Sequence, residues 1–317
     1  MKYFIKNVYF AVAFFALVSF YQDAFAANIA TTTPEQNVIL GILEENANPM
    51  AYPDGIHKNY SREIRVVFQK DGPEWKAFPA QANTQEALAA FISSYPAEVN
   101  WTIVFNRKSL GQLTSKTQQS WKYYSNVGFQ DIESNSPIPT IGKRSRDYSG
   151  YLSEPVYRPL IAVSQSNFKD PEGWKPSALP ADLIKLARQQ FRQKFPKVEN
   201  CTSPEENIAR PWPYQDSDIK ITKTYSSNKG WAIAQLRLGE SRCDYTDDDA
   251  FYDQWFAISP GKEVVFLDKG MWLVDAGDYD NDGKSELVFA INRENRGGYE
   301  LFYDNFKKHS IFEFGYH

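Results

Sequence analysis

Along most of the chain, apolar residues come in short runs broken by Gly, Pro, Asp, Asn and Ser, a pattern that predicts strands and turns. Ile64 to Phe68, the turn Asp71-Gly72-Pro73 and Trp75 to Phe78 read as a hairpin. Trp101 to Phe105 with Leu110 to Leu113 read as a second, and Leu160 to Val163 as a further strand. The C-terminal third is the most orderly. Ile219, Ile221 and Tyr225 alternate with Lys220, Thr222 and Thr224, and after a Ser227-Asn228-Lys229-Gly230 turn Trp231 to Leu238 is apolar at nearly every residue, as a buried strand beside a half-exposed one should be. Gln254 to Ile258 and Val264 to Leu267 flank Ser259-Pro260-Gly261. A further series follows at Trp272 to Asp275, Leu287 to Ile291, Tyr299 to Tyr303 and Ile311 to Phe314.

Helical periodicity is sparse. Leu183, Ala187, Phe191 and Phe195 fall four apart between Pro180 and Pro196, which predicts a helix over 182–195. A shorter helix is expected over Gln85 to Ser93, with Thr84 as its cap, and a third near Thr117 to Ser125. Ser134 to Gly150, with Pro137, Pro139 and the basic group Lys143, Arg144 and Arg146, has neither period and reads as a long loop. Four strands recur in the C-terminal third every 40 to 50 residues or so, the period of radial blade arrays. The expected fold is therefore mainly β: a propeller-like array of four-stranded antiparallel sheets with a few short helices. Asp71 to Trp75, Pro171 to Trp174 and Asn228 to Trp231 share a turn-then-tryptophan pattern, readable as relics of a repeat or as ordinary features of a β protein.

Lys2 and Lys6 precede an apolar run from Val8 to Tyr21 and the small residues of Ala24-Phe25-Ala26, the order of a secretory signal peptide cleaved after Ala26. The run is shorter than the roughly 20 residues of a membrane span. Residues 1–26 thus read as signal peptide, 27–200 as a β-rich region with helices near 84–95 and 181–195, and 201–317 as a propeller-like β region. The formal net charge is −4. That balance argues against a nucleic-acid surface, and no later stretch is apolar enough to span a membrane, so an exported protein, periplasmic or extracellular, is expected. Its two cysteines, Cys201 and Cys243, can pair in such a compartment or remain thiols; the oxidising setting favours the disulfide.

One segment carries recognisable chemistry. Asp278-Tyr279-Asp280-Asn281-Asp282-Gly283-Lys284-Ser285-Glu286 places carboxylates at its first, third, fifth and ninth positions, turning their oxygens toward one centre. Calcium takes six to eight oxygens at about 2.3–2.6 Å, so such a cluster with one peptide carbonyl, that of Lys284, suits it. Gly283 supplies the backbone freedom for the turn. An EF-hand would need a bidentate Glu at the twelfth position and flanking helices; that position is Phe289, and the flanks read as strands. The run from Gly277 to Leu287 resembles the calcium loop of FG-GAP and VCBS-type repeats, the blades of integrin α-chain propellers. The resemblance covers Trp272 to Phe314 and implies Ca2+ ligands at Asp278, Asp280, Asp282, Glu286 and the Lys284 carbonyl. It departs from the family at Glu286, where Asp is usual, and in having a single intact loop. A structural ion is expected rather than a catalytic one.

Other candidates have plainer readings. Asp244, Asp247, Asp248, Asp249 and Asp253 form a second acidic cluster without alternating spacing or a glycine, which favours a solvated loop. His57, His309 and His317 stand in no metal spacing, and no GxSxG, P-loop or GxGxxG occurs. Arg210-Pro211-Trp212-Pro213-Tyr214 is a candidate binding surface, because prolines can hold an aromatic pair off a sheet. Two functional classes follow. The first is a non-catalytic exported binding or surface module with a structural calcium, taking a glycan or protein ligand. The alternative is a secreted carbohydrate-active enzyme on the same scaffold, whose acids would leave no local trace in the sequence.

Overall fold

The computed structural model describes residues 37–46, 61–80, 85–117, 128–133, 138–139, 159–202, 208–239, 243 and 248–315. The signal-peptide segment, Thr84, residues 118–125 of the helix expected near 117–125, all but two residues of the 134–150 loop, Asp244, Asp247, His57 and His317 lie outside them, and Thr117 itself ends a strand. The first described elements are β1 (Ile39–Asn46), β2 (Ser61–Asp71), β3 (Glu74–Ala77), helix α1 (Gln85–Ser94), β4 (Glu98–Phe105), β5 (Lys108–Thr117), β6 (Phe129–Ile132) and β7 (Leu160–Val163). Next come β8 (Lys175–Pro176), helix α2 (Ala181–Lys194), β9 (Val198–Thr202), β10 (Ala209–Trp212), β11 (Ile219–Ser226), β12 (Ala232–Leu238), a single 3-10 turn at Asp249–Phe251, β13 (Gln254–Ile258) and β14 (Val264–Lys269). β15 (Met271–Gly277), β16 (Glu286–Arg293), β17 (Arg296–Tyr303) and β18 (Lys308–Gly315) complete the described elements, which are mainly β and antiparallel in their pairings.

The C-terminal strands stand where the alternation predicts them. β11 to β14 form one up-and-down meander, extended at its edge by the two-residue β8, and β15 to β18 form a second, four-stranded one. The N-terminal strands do not form four-stranded sheets. They are ordered β1-β7-β4-β5-β6-β2, and β1 pairs with β2 as well, so the sheet closes on itself as a ring with β3 continuing from β2. The closing contacts are remote in sequence: the Ile39 amide donates to Ser164 Oγ at 2.9 Å across 125 positions. Local periodicity marks a strand and its buried face but carries no information on so distant a partner, so the pattern of residues 27–200 predicts strands without predicting the ring. The ring encloses a polar chain. Trp101 Nε1 donates to Ser115 Oγ, Ser115 Oγ to Gln130 Oε1 and Gln130 Nε2 to Pro96 O, each at 2.6 Å, so these buried polar groups are paired.

Three apolar layers hold the elements together. α2 lies across β12, β13 and β14, with Ala187 and Phe191 buried against Ala234, Phe256 and Ile258. The opposite face of that sheet, with Trp255, Ala257 and Ile233, packs on Leu287, Phe289 and Phe302 of the four-stranded sheet. The intervening residues Val288, Ala290, Leu301 and Phe312 face the other way, onto the ring. This two-sided burial explains why Leu287 to Ile291 is apolar at every position: both faces of β16 are covered.

The disulfide joins Cys201, on β9, to Cys243, 42 positions later. Trp212 and Tyr214 do not stand off the sheet. Trp212 stacks on Phe251 with centroids 6.4 Å apart, and Tyr214 is buried against Phe191 and donates its hydroxyl to the Phe195 carbonyl. Tyr214 thus belongs to the core under α2, and Trp212 packs half-buried against its edge. The three tryptophans of the turn-then-tryptophan segments pack into core layers as well, Trp75 against the ring and Trp174 and Trp231 between the two meanders.

Candidate metal centre

The acidic segment is the turn between β15 and β16, closed by the pair Gly277 and Glu286. Its backbone is curled by two left-handed residues, Asn281 at φ 59° and Gly283 at φ 88°. A Cβ on Gly283 would meet nothing within 4 Å, so conformation rather than space calls for glycine there. At Gly277 space decides: a Cβ would lie 2.9 Å from the Phe168 ring.

The loop's own amides draw its carboxylates inward. Gly283 N donates to Asp278 Oδ2 at 2.9 Å, Asp282 N to Asp280 Oδ1 at 3.2 Å, and Tyr279 N to Glu286 Oε2 at 2.8 Å. Asp278, Asp280 and Glu286 each bring a carboxylate oxygen to within 4.8 Å of the others. Asp278 is 3 % exposed and Glu286 2 %. The extra methylene of Glu286 lets a strand residue reach back across the turn to the Tyr279 amide.

The other two predicted ligands are placed differently. Asp282 is exposed, and its Oδ1 accepts from Lys284 N at 2.8 Å. The Lys284 side chain turns away to Asp304, with Nζ 3.3 Å from Oδ1, so any part it takes in the site belongs to its backbone.

Partners that no local pattern announces hold the loop from outside. Lys70 of β2 forms an ion pair with Asp280 across 210 positions. Lys229 Nζ donates to the Gly283 carbonyl, Asn281 Nδ2 donates to Gln165 Oε1, and the Phe168 ring stacks on Tyr279 with centroids 5.9 Å apart. The turn is thus held by the ring, by the segment after β7 and by the turn before β12.

Electrostatically the centre calls for a cation. Burial pushes the Asp278 carboxyl up to about 7, with the neighbouring Asp280 and Asp282 charges adding and the Gly283 amide opposing. Burial, and then the charge of Asp280, likewise drives Glu286 well above the usual carboxylate range. Asp278 Oδ1 is buried without a hydrogen-bond partner. Buried acceptors and crowded carboxylates are both stabilised by a bound cation. The residues therefore fit a metal ion: Asp278, Asp280 and Glu286 form a group that can hold one. Their donor set is all oxygen, which suits a hard ion.

No protein-family model, curated protein or solved structure matches the chain.

The described members of the second acidic cluster are engaged elsewhere. Asp248 Oδ1 caps the 3-10 turn by accepting from Ala250 N at 2.9 Å, Asp249 pairs with Lys269, and Asp253 lies 3.8 Å from Arg237. His309 Nδ1 is 2.6 Å from the buried Glu300 carboxylate, and its ring stacks on Phe302. Burial raises Glu300, while His309 and Arg293 oppose it. Arg293 also reaches Asp268 and Glu313, so this set forms an ion-pair network on the four-stranded sheet.

Proposed function

We propose that the protein is an exported binding or surface module, non-catalytic, whose β15–β16 turn is a structural calcium clasp. The observation that carries the reading is the trio Asp278, Asp280 and Glu286, whose oxygens lie within 4.8 Å with Asp278 Oδ1 left without a protein partner. Asp282 and the Lys284 carbonyl complete the proposed ligand set, as the FG-GAP resemblance implies. When bound, calcium would neutralise these buried carboxylates and fix the turn against the ring. The Tyr279 and Gly283 amides pre-orient Glu286 and Asp278 for it. Export is supported by the Cys201–Cys243 disulfide, since such bonds persist in oxidising compartments. The propeller-like relation of the C-terminal region is supported by two successive meanders packed face to face.

Thermal melts test the clasp. Calcium at a hundredfold excess over its Kd should stabilise the fold by about 2.7 kcal/mol, a rise of roughly 5–10 °C that a chelator reverses. Asp280→Ala should lose the response. An unchanged wild-type midpoint removes the structural ion.

Ligand carboxylates bind metal deprotonated. Without the ion Asp278 titrates at about 7, so protons compete with calcium below that value. Calorimetric titrations at about pH 8 and about pH 5 should show weaker binding at the lower pH. Equal affinity at both would exclude Asp278 as a ligand. A glycan array run beside a panel of glycoside substrates addresses the module reading; turnover abolished by one Asp or Glu substitution outside the loop would replace it with an enzyme.

A further inference from the structure

The centre already contains a cation of the chain's own. Lys70 Nζ is paired with Asp280 Oδ2, and Asp280 is one of the three residues whose oxygens converge. The Lys70 side chain is 17 % exposed and that of Asp280 4 %, so the contact is shielded and the charges act on each other strongly. An ammonium and a divalent ion competing for the same carboxylate repel one another. The same ammonium has a second partner that it keeps when the carboxylate is taken. Trp75 lies directly opposite Lys70 on the β2–β3 hairpin, and its ring centroid is 5.3 Å from Nζ, a cation–π distance. The Lys70 amide is held by Val38 O at 2.7 Å, so the flexible four-carbon stem can swing while the strand stays in place.

We propose that Lys70 is a displaceable counter-cation. It neutralises Asp280 in the ion-free protein and gives up that carboxylate, keeping its place over the Trp75 ring, when a divalent ion binds, so that it sets the affinity of the site. This rests on the calcium reading above. The arrangement has a physical logic: crowded buried carboxylates without any cation would repel one another and open the turn, whereas an internal ammonium keeps it folded until metal arrives. The same ammonium weakens metal binding, because it must leave the carboxylate first.

Isothermal titration with calcium chloride, on wild type, Lys70→Met and Lys70→Gln, tests the idea. Both variants should bind at least about tenfold more tightly than wild type, while their ion-free forms melt lower. In the wild type, amine-reactive labelling of Lys70, read by peptide mass spectrometry, should rise as calcium saturates the site. If the wild type binds but affinity is unchanged or lower in both variants, or labelling of Lys70 does not rise, the counter-cation role is overturned and the clasp stands. Binding by the variants alone would support the competition and remove the calcium reading for the wild type. Binding by none of the three would overturn both.

Discussion

Gly298→Ala is expected to destabilise the native fold severely. Gly298 lies on β17 between Ile291 of β16 and Glu313 of β18. A Cβ there would sit 2.0 Å from the Phe312 carbonyl oxygen and 2.9 Å from the Glu313 Cα, both backbone atoms of the adjacent strand. No side-chain rotation relieves such a contact, so β18 would have to move. β18 carries Phe312, fully buried, and Phe314, 7 % exposed, into the layer shared with the ring. Exposing two such phenylalanines costs about 1.5–3 kcal/mol each before any lost ladder hydrogen bonds are counted. Domains have only about 5–15 kcal/mol to lose. The variant should therefore be largely unfolded or should melt more than about 10 °C lower by circular dichroism. A midpoint within about 2 °C of wild type would show that β17 and β18 do not depend on this close approach. Gly283→Ala is the control: no atom obstructs its Cβ, so only the left-handed backbone counts against it, at about 1–2 kcal/mol.

Removing the disulfide has the next largest expected effect. Cys201 and Cys243 close a span of 42 positions, for which chain entropy in the unfolded state gives about 4 kcal/mol. The bridge ties β9 to the segment that leads into the 3-10 turn, and both half-cystines pack against the layer under α2. The double variant Cys201→Ser with Cys243→Ser should lower the unfolding free energy in urea by about that amount. The denaturant slope should steepen somewhat, because the uncrosslinked chain exposes more surface. Identical urea curves for the oxidised and disulfide-free proteins would mean that the bridge is peripheral to stability.

What was legible in the sequence follows from the range over which each signal acts. Helix α2 was expected over 182–195 and spans Ala181–Lys194, because apolar residues four apart and two flanking prolines are local features. The eight strands of the two meanders were likewise found, each with its own alternation or dense apolar run. Pairing across the ring was not legible. β7 inserts between β1 and β4, and nothing in Leu160 to Val163 names those neighbours. At the candidate site the division is similar. The spacing of Asp278, Asp280 and Glu286 identified the converging carboxylates, and the same spacing put forward Asp282, which the fold leaves exposed. Lys70 and Lys229 were invisible, since a lysine on a strand or in a turn reads as ordinary solvated charge until the fold brings it to an acid. At Trp212 and Tyr214 the proline neighbours offered display as a candidate, and the fold divides the two: Tyr214 is buried against Phe191, while Trp212 is half-buried beside exposed Pro211 and Pro213.

The four-stranded sheet is clad on both faces, by the ring through Val288, Leu301 and Phe312 and by the neighbouring meander through Leu287, Phe289 and Phe302. It serves as a party wall between two rooms. Neither room can be separated from the other without baring one side of that wall, so a cut between the N-terminal strands and the C-terminal meanders would not release two self-sufficient pieces. Calorimetry of the intact chain should accordingly register one cooperative transition, and proteolytic fragments ending before Met271 should be insoluble.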